Sequence, residues 1–226
     1  VSLLTGLAWS GRFDQAYMII RRLRNNADMT YNVRARLAVT ELVCLLVIRN
    51  PTLVFSAGNG HRSVLSVPVW GRSHAEFWVN IAARSLLAPR NRAVLEKGAK
   101  CLVIHADRAA LQVIMNHPTI LALSEIVAIK AINLFSELPA TDCAISQGDR
   151  LAAAQWSAMI MARDANANFV NLAPDGLYAD GSLETIEAKA KYHGREALFS
   201  SDYEVGGNFE NFYDINALNS NIDFDW

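Results

Sequence analysis

Between about residues 62 and 203, apolar runs of strand length alternate with amphipathic segments of helix length, and no other feature constrains the fold so tightly. A strand buried on both faces reads as a continuous apolar run, and parallel neighbours need crossover connections long enough to hold a helix. Residues 64–70, 100–107, 125–132 and 168–173 have that character, with a fifth run at 195–200. Helical spacing is read at 73–87, 108–116, 150–164 and 183–192, with Asp149 as the N-cap of the third and His193-Gly194 stopping the last. The pattern predicts a doubly wound α/β layer with a mostly parallel sheet.

The first fifty residues follow a different rule. Phe13, Ala16, Tyr17, Ile20 and Leu23 recur at helical intervals, Asn25-Asn26 offers a stop, and 31–49 reads as a second helix. An N-terminal helical hairpin is expected, serving as packing or as a groove for a protein partner, and it can be the end of a larger helical region. Pro51 and the stretch 56–60 supply breakers. The expected organisation is therefore residues 1–57 as hairpin, 58–203 as the α/β domain, and 204–226 as an irregular tail rich in Asn, Asp and aromatics.

A formal net charge of -1 gives no electrostatic argument for nucleic acid or an anionic membrane as partner. The longest apolar run, 37–48, carries Glu41 and is too short to span a bilayer, so a buried helix is expected there. Cys44, Cys101 and Cys143 lie far apart without metal-ligand spacing and read as free thiols. With no secretory leader visible, a cytoplasmic location is expected, although the chain begins at Val1 and reads as processed, trimmed or incomplete.

In an open parallel sheet, loops and helix N-termini converge at the carboxyl ends of the strands, and ligands lie where the strand order reverses. That rule selects residues 68–72, 105–107 and 174–182. Each candidate there has two readings. Asp175 is a diphosphate-site or metal acid, or a turn residue; Asp180 reads best as the cap of the helix that follows it; Asp107 can cap a helix, bind a ribose, or do both. His105 faces a cleft or is a satisfied structural histidine, Arg72 neutralises phosphate or is merely exposed, and Trp70 and Trp78 cover the core, with base stacking open to Trp70. A hydrolase elbow and a Gly-x-Gly-x-x-Gly turn are both missing, and no histidine pair has zinc spacing.

Three segments together carry a family likeness: Ser63-Val64-Leu65-Ser66-Val67-Pro68-Val69-Trp70-Gly71, Ser85-Leu86-Leu87-Ala88-Pro89, and Asn171-Leu172-Ala173-Pro174-Asp175-Gly176-Leu177-Tyr178-Ala179-Asp180-Gly181-Ser182-Leu183. In this order they resemble bacterial glycosyltransferase-like proteins of the GT-A, Rossmann-like fold, over roughly residues 62–203. The resemblance implies a nucleoside-diphosphate sugar as donor and an unknown acceptor. Pro68, Val69 and Trp70 would border the nucleoside, Arg72 would meet phosphate, and Asp107 would accept a hydrogen bond from the nucleoside. Asp175 would stand at the family's metal-binding acid, implying Mn or Mg. The second carboxylate of the Asp-x-Asp motif is missing, since Asp175 is followed by Gly176 and Leu177; Asp180 is the next acid available. No catalytic base is nominated. The alternative is a non-catalytic binding or interaction module that keeps the nucleotide-binding layer.

Overall fold

The computed structural model describes residues 2–23, 29–58, 62–134 and 145–193. Three helices come first: α1 (Ser2–Trp9), α2 (Phe13–Leu23) and α3 (Tyr31–Arg49). In α3 the run from Leu42 to Val47 is buried without interruption, as expected of a helix that is apolar on all sides. It is covered by α2 on one flank and by a later helix, α9 (Gln147–Asp164), on another. Among the described residues no helix is long and apolar enough to cross a membrane.

The sheet has four parallel strands, β1 (Ser63–Val69), β2 (Lys100–Ala106), β3 (Ala128–Asn133) and β4 (Asn168–Asn171), in the spatial order β3-β2-β1-β4. The chain steps outward from β1 to β2 to β3, then returns across the sheet to place β4 on the other side of β1. β1 and β2 are buried along their full lengths, which is why their sequences show no alternation.

Strand side chains divide between two layers. Val64, Cys101, Val103 and Ile132 join a core with α1, α2, α3 and α9 (Gln147–Asp164), so the N-terminal helices and the sheet share one apolar cluster. Leu65, Val67, Val69, Leu102, Ile104 and Ala106 face the opposite layer. That layer comprises α4 (Arg72–Phe77), a π-helical turn at Trp78–Ala82, α5 (Ala83–Ser85), α6 (Pro89–Lys97), α7 (Arg108–Ile114), α8 (Pro118–Ser124) and α10 (Ser182–His193).

Several boundaries differ from the sequence expectation. α1, α6 and α8 were not anticipated; α6 and α8 each begin at a proline, whose fixed φ suits the first helical position and whose missing N–H would be unpaired there anyway. Because α8 occupies Pro118–Ser124 and Leu123 then accepts from the amides of Ile126 and Val127, β3 starts at Ala128 instead of 125. The cap of α9 is Ser146, not Asp149. Ser146 Oγ accepts from the Asp149 amide and donates to Asp149 Oδ2 at 2.7 Å, so Asp149 sits three positions inside the helix as its capping-box partner. The expected fifth strand at 195–200, the tail, the Asn25-Asn26 stop and Cys143 lie outside the described residues.

Candidate functional site

The reversal of strand order falls between β1 and β4, and the carboxyl ends of these strands frame the position that an open parallel sheet offers to a ligand. β4 stops first: Asn171 pairs with Ser66, and the Leu172 amide donates to Ser66 O at 2.7 Å. β1 continues through Val67, Pro68 and Val69 with only β2 beside it. Past its end, Trp70 is half-buried against the α9 layer and Arg72 is exposed, paired with Glu76 one helical turn on at 2.8 Å. Arg72 is thus a surface cation beside the β1 terminus, held by its own helix.

Asp107 welds the ends of β1 and β2 together. Its Oδ1 accepts from the Ala110 amide at 2.7 Å and caps α7, while Oδ2 accepts from the Gly71 amide at 2.8 Å. Gly71 has φ 81, in the left-handed region that glycine enters without penalty, and this is what turns its N–H toward the carboxylate. The two oxygens each serve a backbone donor, and what remains for a ligand is their second lone pairs.

The segment after β4 is tied down more thoroughly. Asp180 Oδ1 accepts from the Arg90 and Asn91 amides, at 2.7 and 3.3 Å. These are the second and third residues of α6, whose own N-cap is Ala88 and has no side-chain acceptor. Asp180 therefore caps α6 from ninety residues away, and not α10, which follows it in sequence. Asn91 returns the favour: its Oδ1 accepts from the Gly181 and Leu183 amides at the start of α10, both at 3.1 Å. Its Nδ2 reaches the carbonyls of Ser85, Tyr178 and Ala179. Ser85 Oγ accepts from the Tyr178 amide, Tyr178 Oη donates to Ala173 O, and Arg90 pairs with Glu184 at 2.7 Å. Gly181, at φ 88 and beneath the Arg90 guanidinium, has neither the dihedral nor the room for a side chain without a shift in Arg90. The second sequence segment, extended by Arg90 and Asn91, and the third are thus two halves of one clamp, each capping a helix of the other.

Asp175 stands apart. It is exposed, and among the described residues no donor reaches it. No group of three or more His, Cys, Asp or Glu side chains converges among the described residues. A divalent cation at Asp175 would depend on phosphate oxygens and water for most of its shell.

His105 does not face the carboxyl-end crevice. It is fully buried under α9, where Nε2 lies 3.0 Å from Ser157 Oγ, and burial holds its pKa down at about 3. His117 caps α8 through Nδ1, which accepts from the Thr119 amide. Trp78 is wholly buried in the layer opposite α9. A cavity of about 570 Å3 lies at the other end of the sheet, lined by residues including Phe55, Arg62, Ala99, Met161 and Asp164. Asn91 and Ser85 escaped the sequence reading as site-shaping residues; the one available signal was that Ala88-Pro89 opens a helix with no capping side chain of its own. Comparison with protein-family models, with curated proteins and with solved structures gives no significant match.

Proposed function

We propose that this chain is a glycosyltransferase-like domain of GT-A, Rossmann-like type that binds a nucleoside-diphosphate sugar in the crevice between the carboxyl ends of β1 and β4. The observation that carries the reading is the reversal of strand order at that crevice, with Pro68, Val69 and Trp70 on one bank and, after the other, the carboxylate of Asp175, unengaged among the described residues. The motif resemblance in the same segments supplies the substrate class. In this reading Trp70 and the end of β1 border the nucleoside, Arg72 meets a phosphate after releasing Glu76, and Asp175 faces the diphosphate, with or without a Mn or Mg ion that the nucleotide brings. The acceptor is unassigned.

A second reading, a non-catalytic module that binds the nucleotide or a protein partner, rests on a specific observation. Asp107 and Asp180 both spend carboxylate oxygens on backbone amides that hold the fold together, which leaves, among the described residues, no acid in the crevice with a partner suited to general-base work.

Thermal unfolding of the full chain with UDP-, GDP-, CDP- and dTDP-sugars, with and without Mn, tests both. Stabilisation by one nucleotide class is expected, and Asp175→Ala should abolish any Mn-dependent part of it while leaving the unliganded Tm within about 1 °C, as for a surface substitution. Release of free sugar from the bound donor favours the enzyme; binding without turnover favours the module. Indifference to every nucleotide sinks both nucleotide-based readings.

A further inference from the structure

Beneath α9, three polar side chains are fully buried on one face of the sheet or against it: Ser66 on β1, His105 on β2 and Ser157 on α9. Ser157 has a single hydroxyl proton, and its Oγ lies 2.9 Å from the carbonyl of Ala154, one turn back in the same helix. With that proton committed, Ser157 Oγ is an acceptor toward His105, so the proton on the imidazole resides on Nε2. Nδ1 is then a bare lone pair. It has no partner among the described residues, and neither has the hydroxyl of Ser66.

These two orphans are complementary, one an acceptor and the other a donor. Register places them close: Ser66 pairs with Val103, two residues before His105 on the same strand, so both side chains project from the same face. Strand spacing and rise put their Cα atoms about 8 Å apart. That is too far for direct contact between a serine and the near side of an imidazole that leans toward α9, and suited to one intervening molecule. An orphaned buried hydroxyl or imidazole nitrogen loses its hydration without compensation, and a bridging molecule restores the lost hydrogen bond. The bridge must accept from Ser66, donate to His105 and be small enough for a layer closed to solvent. Water meets all three conditions.

We infer an internal hydration site between β1, β2 and α9, in which one water accepts from Ser66 Oγ and donates to Nδ1 of an Nε2-protonated His105. It is independent of the nucleotide reading, being closed from the crevice by burial.

Long-range proton–nitrogen correlation on the full chain, labelled with 15N-histidine, tests the tautomer: the histidine that does not titrate between pH 5 and 8 should carry its proton on Nε2. A water-selective Overhauser experiment should then show transfer from a long-lived water to the Hε1 proton of that ring. In Ser66→Ala the transfer should fall at least severalfold and the Nδ1 resonance should move. An Nδ1-protonated ring overturns the inference, as does the absence of water transfer in the wild-type protein, or transfer unchanged in Ser66→Ala. The wild-type measurements decide the matter even where the variant fails to fold.

Discussion

The two faces of the same strands are built on different principles. Toward α4 through α8 and α10, β1 and β2 present Leu65, Val67, Val69, Leu102, Ile104 and Ala106, all apolar and all buried, and only at the strand starts do Ser63 and Lys100 add buried polar groups to this face, the Lys100 ammonium pairing with Glu187 of α10. Toward α9 they present Val64, Ser66, Pro68, Cys101, Val103 and His105, a face where polar groups are interspersed. On the first face, polar chemistry is kept to the margins: the Lys100–Glu187 pair at the strand starts, and the helix ends, where Asn91 and Asp180 cross-cap α6 and α10. On the second it lies within the layer, in the hydrogen bond that ties α9 to β2. The first arrangement gains strength from amides paired at helix ends, and the second depends on neutrality of a buried imidazole.

The largest effect should come from breaking the clamp of the first face. Asn91→Ala removes the acceptor of two amides and the donor to three carbonyls at a buried position, and urea unfolding should show a loss of about 3 kcal/mol. A loss under about 1 kcal/mol would mean that water replaces these contacts and that the clamp is superficial.

The second face should reveal itself through pH. His105 has its ordinary value of 6.5 in the unfolded chain and about 3 in the folded one, the depression arising from burial. Between these values the unfolded chain binds a proton that the folded chain refuses, so stability falls as pH drops from 6.5 toward 3. The contribution is on the order of 1 kcal/mol per pH unit. His105→Gln should have a correspondingly flatter stability profile between pH 6 and 4 than the parent; parallel profiles would place the proton refusal elsewhere. The first-face variant should leave this slope unchanged.

The smallest effect sharpens the comparison within the clamp itself. Asp180→Ala should cost about 1 kcal/mol, the usual worth of a helix cap, and Asp180→Asn only a few tenths, because an amide oxygen still accepts from Arg90 and Asn91. Equal losses in the two variants would show that charge at the α6 N-terminus, not hydrogen bonding, is what Asp180 supplies.

Much of this was legible in the chain. Continuous apolar runs located four strands because burial on both faces leaves one composition available to them, and Asp107 was readable as a cap because its partner amide is three residues away. Helices α6 and α8 were missed because their amphipathic stretches are short and the prolines that open them also read as breakers. At the candidate site, Asp180 read as a helix cap and is one, but of α6 and not of the helix that follows it, whereas Asp175 has no partner among the described residues.

The sequence by itself determined where the four strands of the described sheet lie, that they run parallel, and that their carboxyl ends carry the acids, since each follows from local burial and local turn chemistry. Only the tertiary structure decided what those acids do. Asp180 and Asn91 are about ninety residues apart and exchange caps because β1 lies beside β4 and brings α6 next to α10, a juxtaposition set by strand order. His105, likewise, points to α9 and away from the crevice because the pleat alternates side chains between faces, and which face would meet α9 was fixed only when the crossover from β3 to β4 was made.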